Sequence, residues 1–141
     1  MSLFVELVNS KNIDDYVDIY INNMNDNIDE AVERVLEIKN HLKGLPNKVK
    51  LYRIVVVDGV EEIDLIEPGS HYTLSREQLI GSYNILTGVG MEYYLLTVLA
   101  DRELIDVDST IINNILYPNE EEITLKNKGK GSKVVKIERV S

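Results

Sequence analysis

The spacing of apolar residues changes once along this 141-residue chain, at Pro46, and that change most restricts the fold. Before Pro46, apolar residues recur at helical spacing over residues 13–24 and again over residues 25–43, which predicts two helices joined by a short turn. Asn25 or Asp26 is the expected N-cap of the second helix. The length favours a single domain covering residues 1–141.

After Pro46 the apolar runs become compact and rich in β-branched residues, which predicts strands. One short helix is expected after Ser75, which has the sequence of an N-cap. Helices followed by strands indicate an α+β fold rather than alternating βαβ units. The remaining predicted segments are strands at 49–57, 61–66 and 91–100, an extended piece at 70–74, a long connection at 101–119, and a hairpin of 121–127 and 132–140 around the "KGKG" turn.

Composition excludes several classes of function. The formal net charge of −9 argues against general binding to DNA or anionic membranes. The absence of cysteine removes disulfides, thiolate nucleophiles and Cys-based zinc sites. Two histidines and an incomplete calcium-loop pattern at residues 106–111 predict no metal site. The sequence shows neither an apolar run of 18 residues nor a basic, apolar leader, so we expect a cytoplasmic protein.

Arg53 interrupts an otherwise apolar strand. With a period of two it shares a face with Leu51, Val55 and Val57. A guanidinium on such a face needs a partner, and a phosphate or carboxylate fits its planar fork of donors. The alternatives are an edge strand or a structural ion pair with one of the 24 acidic residues.

Three glutamates precede the strand predicted near residue 122. If residues 120–125 are extended, Glu120 and Glu122 lie on one side, roughly 7 Å apart, and Glu121 points the other way. Two carboxylates on one face suit a reaction that passes through a sugar cation, since one stabilises the cation and the other positions the nucleophile. The alternative is a solvated acidic turn.

Two further groups of polar residues have candidate roles. His71, Tyr72 and Thr73 follow a Pro-Gly turn and offer hydrogen bonds and a stacking surface for a ribose or a base. A basic segment could contact nucleic acid, although a solvated hairpin that protects an edge strand is the favoured interpretation. This segment contains Lys126, Lys128, Lys130, Lys133 and Lys136.

In order, the motifs are "LYRIV" (51–55), "HYTLSREQLIGSY" (71–83) and "YPNEEEITL" (117–125). Together they resemble the Arg–Ser–Glu type of the ADP-ribosyltransferase family, which includes bacterial toxins and small bacteriophage enzymes. The resemblance extends from about Tyr52 to the C-terminus. The second motif keeps only one hydroxyl, Thr73, of the usual Ser-Thr-Ser.

The resemblance implies a role for each motif. Arg53 would bind the phosphates of NAD, and His71, Tyr72 and Thr73 would complete the NAD site. Glu122 would be the catalytic residue that stabilises the cation formed as nicotinamide leaves. Glu120 would orient the acceptor. Tyr117 would help to recognise that acceptor.

The fold implied is a helical lead-in over residues 1–46 followed by a mostly antiparallel two-sheet core over residues 47–141. The function implied is NAD-dependent transfer of ADP-ribose to a protein side chain. The Glu at position 120, where some relatives carry Gln, resembles the arginine-modifying subgroup. The expected partners are NAD and a host protein, as for a phage or mobile-element effector, with no membrane or nucleic acid. The alternative is a catalytically silent binding or inhibitory module of the same fold that acts on a host or defence protein.

Overall fold

The first part of the chain is helical, as the apolar spacing predicts. The computed structural model describes residues 3–57, 70–77, 79, 92–118 and 120–139. Three helices come first, α1 (Leu3–Ser10), α2 (Ile13–Asn23) and α3 (Ile28–Lys43). Helix α1 was not predicted. None of the described helices is long and apolar enough to cross a bilayer.

The N-cap of α3 corrects the sequence prediction. Asn27 is the cap, because its side chain accepts a hydrogen bond from Glu30 N at 3.1 Å. The predicted caps Asn25 and Asp26 lie two residues and one residue earlier, and Asn25 Oδ1 accepts a hydrogen bond from Asn27 N in the turn before the helix. Gly44 is the C-cap of α3, and its N–H donates to the carbonyl of Asn40.

In the part of the chain that the structure describes, five strands form one antiparallel-paired sheet in the order β4-β2-β1-β3-β5. The central ladder pairs β1 with β3 from Lys48–Asp101 to Val57–Glu92. The strands are β1 (Lys48–Val57), β2 (His71–Thr73), β3 (Glu92–Asp101), β4 (Glu122–Thr124) and β5 (Lys133–Arg139). The α+β class is therefore confirmed. Because all the described strands belong to one sheet, the two-sheet ADP-ribosyltransferase core stays a prediction.

The main core lies between the helices and one face of the sheet. Alternation along β1 turns Leu51 and Val55 to this face, where they join buried residues of α1–α3. We call it the helix-covered face and the other the Glu122 face, because Thr73 and Glu122 are paired on it. The sheet residues of the main core are Val49, Leu51, Val55, Tyr72, Tyr94, Leu96, Val98, Ala100, Ile123 and Leu125.

The long connection predicted over residues 101–119 is wrong, because it contains a helix, α4 (Val107–Leu116). Asp106 caps it by accepting a hydrogen bond from Ser109 N at 3.1 Å. Its buried residues are spaced as on one helical face, and α4 packs beside β4. These buried residues are Val107, Thr110, Ile111 and Ile115.

The predicted hairpin of residues 121–127 and 132–140 is also wrong. Strands β4 and β5 lie at opposite ends of the sheet, with three strands between them. β4 is joined to β1 through β2, and β5 is joined to β1 through β3, with every pairing antiparallel. Both strands therefore run in the same direction as β1 and cannot form a hairpin with each other. The turn signal instead gives a short 3₁₀ segment (Lys126–Gly129) in which Asn127 and Lys128 have φ of 50° and 55°.

Other predictions are met in part. The extended piece near residue 71 is β2. Residues 76, 77 and 79 are helical after Ser75, and Leu79 N donates to Ser75 O at 3.3 Å. The predicted strand at 61–66 lies outside the described residues.

Candidate functional site

The second and third predicted motifs meet on the Glu122 face of the sheet. Strands β2 and β4 are neighbours, with Thr73 opposite Glu122 and His71 opposite Thr124. Residues opposite one another on paired strands have side chains on the same face. The His71 imidazole lies diagonally from Glu122, and its Nδ1 is 2.8 Å from Glu122 Oε1. The structure thus brings His71, Thr73 and Glu122 together.

The Glu122 carboxylate is the more enclosed member of this pair. Its side chain is 16% exposed, against 67% for His71. An ionised carboxylate can only accept hydrogen bonds, so His71 Nδ1 carries the proton when Glu122 is charged. Asn114 Nδ2 donates to the Glu122 carbonyl at 2.7 Å and fixes the start of β4. A half-enclosed carboxylate held in this way can stabilise a positive centre brought to it.

The other two glutamates lie in the turn before β4 rather than on the strand. Glu121 has φ of 46°, in the left-handed region that few non-glycine residues adopt. The regular alternation predicted for residues 120–125 therefore begins only at Glu122. Glu120 is exposed, and its carbonyl accepts a hydrogen bond from Thr73 Oγ1 at 2.8 Å. Tyr117 is 53% exposed and accepts from Glu120 N through its carbonyl.

Arg53 and Tyr72 face the opposite side of the sheet from Glu122. Tyr52 is paired with Thr73, so Tyr52 shares the Glu122 face and its neighbour Arg53 turns to the helix-covered face. Tyr72 belongs to the main core on that same face. The predicted NAD site is therefore divided, with Arg53 and Tyr72 on one face and the residues around Glu122 on the other.

The Tyr72 hydroxyl is fully buried without a hydrogen bond of good geometry. Burial raises the pKa of this hydroxyl, while the nearby Arg53 charge and the Ser132 hydroxyl lower it. Arg53 and Tyr72 therefore share the helix-covered face, and the Arg53 charge is near enough to affect the Tyr72 hydroxyl.

A cleft of about 260 Å³ lies between α3, the end of α4 and the start of β4. Arg34 spans it, donating from Nη2 to the Asn114 carbonyl at 3.0 Å and the Pro118 carbonyl at 3.4 Å. The volume is at the small end for a ligand site. The lining residues include Glu37, His41, Leu74, Glu121 and Glu122.

An open depression of about 490 Å³ lies beside His71, and Glu122 is not among its lining residues. His71 and Thr124 line it from the sheet, and Lys126 and Lys128 line it from the 3₁₀ segment. Sequence reasoning assigned these two lysines to a hairpin and missed their position beside His71. The sequence shows only that both lysines closely follow the "YPNEEEITL" motif (117–125).

Within the described ranges, no group of three or more His, Asp or Glu side chains is arranged to hold a metal ion. Comparison with protein-family models, curated proteins and solved structures gives no match to the chain. The resemblance to the ADP-ribosyltransferase family therefore rests on the sequence motifs.

Proposed function

We propose that the chain is an NAD-dependent mono-ADP-ribosyltransferase-like protein that modifies a protein side chain, with Glu122 as the reactive carboxylate. The observation that carries the proposal is the His71–Glu122 pair, 2.8 Å apart, with Thr73 on the same face. The adjacency of β4, β2 and β1 adds support, since each carries one motif. Arginine as the acceptor, a host-cytoplasmic setting and a phage or mobile-element origin belong to the same proposal.

The chemistry required of Glu122 is electrostatic. When the bond between nicotinamide and ribose breaks, its electron pair leaves with nicotinamide and positive charge develops on the ribose. A carboxylate near that carbon lowers the barrier, and the pairing with His71 keeps the Glu122 side chain in one orientation. The acceptor side chain then forms a bond to the same carbon and loses its proton. Glu120, exposed in the preceding turn, is the candidate base.

The phosphates of NAD need a cation on the Glu122 face. Arg53 is on the opposite face, whereas Lys126 lines the depression that His71 also lines. Lys126 is exposed, so its ammonium group can reach a bound anion without losing a buried contact. We assign the phosphate contact to Lys126 and a structural role to Arg53.

The test is transfer of labelled ADP-ribose from NAD to proteins of a cell lysate. Wild type should label an acceptor, and Glu122→Gln should abolish labelling while its unfolding midpoint stays unchanged. Glu120→Gln should reduce labelling more than it reduces NAD hydrolysis. Lys126→Gln should raise the KM for NAD, and Lys48→Gln, an exposed lysine on β1, serves as the matched control. Full labelling by Glu122→Gln would refute the proposal.

A second candidate function is a binding or inhibitory module of the same fold without turnover. Two observations favour it. Arg53 is on the opposite face from Glu122. The Thr73 hydroxyl is already engaged, donating to the Glu120 carbonyl and accepting from Ser75 N at 3.1 Å. In the same assay this module would give neither labelling nor hydrolysis in any variant.

A further inference from the structure

The two edge strands of the sheet, β4 and β5, differ in the hydrogen bonding of their outer backbone groups. The outer edge of β4 is closed by α4 and the residue before it. Thr124 N donates to Thr110 Oγ1 at 3.0 Å, and the Thr124 carbonyl accepts from Asp106 N at 2.8 Å. The Glu122 carbonyl accepts from Asn114. These bonds occupy outward-facing backbone groups of β4 that a further strand would need.

Strand β5 ends the sheet on the other side, and nearly all of its side chains are exposed. In the described part of the chain no strand or helix pairs with its outer edge. Val134, Val135 and Ile137 are 40%, 54% and 41% exposed, which is unusual for three apolar residues of one strand. A row of unpaired backbone groups beside exposed apolar side chains is a template for another strand.

The side chains of β5 divide by face according to their partners on β3. Val134 and Ile137 lie opposite Val98 and Leu96, on the side of the helix-covered face. Lys133 and Lys136 lie opposite Leu99 and Thr97, on the side of the Glu122 face. Val135 is the extra residue of a β-bulge. At the end of the strand, Arg139 lies opposite Tyr94 on the apolar side and Glu138 lies opposite Leu95 on the side of the lysines. A strand added beside residues 133–137 would therefore meet apolar groups on one face and ammonium groups on the other.

The charge of this edge selects the partner. The only acid on β5, Glu138, is already paired with Arg76 at 2.7 Å and with Lys136 at 2.9 Å. Lys133 is exposed, Lys136 also exposes its ammonium group although it is paired with Glu138, and the exposed Lys130 precedes the strand. A second copy of the chain would bring the same strand, with three basic residues and one acid, so β5–β5 pairing sets two strands of net positive charge side by side.

We infer that the β5 edge binds an extended segment of a partner protein in which acidic and apolar residues alternate. The added strand would place its apolar side chains beside Val134 and Ile137 and its carboxylates beside Lys133 and Lys136. The lysines and the bulge that deter a neutral or basic strand make the edge selective for an acidic one. The inference is independent of whether Glu122 catalyses transfer.

The test uses two labelled peptides with the same apolar residues, one alternating Glu with Val and Ile, the other alternating Lys with Val and Ile. Titration of the isotope-labelled protein is followed by backbone amide NMR shifts. The acidic peptide should shift amides of residues 133–139, and the basic peptide should bind at least tenfold more weakly. Raising the salt concentration should weaken the acidic peptide's binding.

Variants separate strand addition from general attraction between charges. Ile137→Asn should weaken binding of the acidic peptide by about fivefold or more, whereas Leu36→Asn, an equally exposed apolar residue on α3, should leave it unchanged. Lys133→Glu should reduce the preference for the acidic peptide. Shifts spread over the surface, equal binding of both peptides, or no binding of the acidic peptide would each overturn the inference.

Discussion

Replacing Thr110 with valine should destabilise the protein even though valine has the same shape and is more apolar. The Thr110 side chain is completely buried, and its Oγ1 accepts a hydrogen bond from Thr124 N at 3.0 Å. It also approaches the Thr124 carbonyl at 3.4 Å, but that carbonyl keeps its bond from Asp106 N. The substitution therefore leaves one buried group, the Thr124 N–H, without its hydrogen-bond acceptor.

The magnitude follows from that single orphaned donor. A buried N–H left without a partner costs about 1–3 kcal/mol, and the added apolar character of valine offsets only part of it. We expect a loss of about 2 kcal/mol, or roughly 6 °C in Tm for a chain of this size. Thr110→Ser keeps the hydroxyl and loses one methyl group, which costs about 1 kcal/mol.

Urea unfolding followed by circular dichroism measures both variants. The order of stability should be wild type, then serine, then valine, with the same dependence of the unfolding free energy on urea. If burial of apolar surface dominated at this position, the valine variant would equal or exceed wild type. That result would refute the claim that α4 closes the edge of β4 through this hydrogen bond.

Three further perturbations test other contacts. Burial and the Asp108 carboxylate raise the pKa of Tyr16 in the folded state, so its contribution to stability is complete below about pH 10 and is lost as the pH rises further. Urea unfolding between pH 9 and 11 should therefore show a steeper loss in wild type than in Tyr16→Phe. Hydrogen bonds from Lys136 and then Arg76 lower the pKa of Glu138 in the folded protein, so the stabilisation from this carboxylate is lost as the pH falls below the ordinary pKa of glutamate. In Lys136→Met, NMR titration should show a higher pKa for Glu138 than in wild type. Asn27→Ala should cost about 1 kcal/mol in urea unfolding and Asn27→Asp almost nothing, because only the alanine variant loses the cap.

The helices and central strands follow from local patterns in the sequence. Apolar spacing gives α2 and α3 because each helix buries one stripe of residues in the core, where the two helices pack against each other and against α4. The long runs of β1 and β3 are apolar because they form the central ladder. Such segments carry their own signal over ten or more residues.

Helix α4 was missed because its residues have modest helix propensity. It is rich in β-branched side chains, which favour strands when read without context. Its cap Asp106 and the spacing of Ile111 and Ile115 were visible, but packing against β4 decides the outcome. The sequence alone does not show that this segment packs against β4.

The predicted hairpin failed for a different reason. A Gly-Lys-Gly turn indicates a reversal of the chain but says nothing about which strands pair. Here β4 and β5 are separated by the whole sheet. Strand pairing is a long-range property.

The sequence singles out candidate residues one by one, but it does not give their relative positions. Alternation placed Arg53 on an apolar face, yet only the pairing of Tyr52 with Thr73 reveals that this face is opposite Glu122. The left-handed Glu121 likewise breaks the expected relation between Glu120 and Glu122. The pairing of His71 with Glu122 depends on the register of β2 and β4, which no local pattern encodes.

Release of nicotinamide from NAD by the purified protein, beside Glu122→Gln, is the most direct test of the proposed function. Both proteins are first compared by circular dichroism and thermal unfolding, so that a loss of activity is not a loss of fold. The proposal predicts release by wild type and none by Glu122→Gln. No release by folded wild type, or equal release by both proteins, would contradict it.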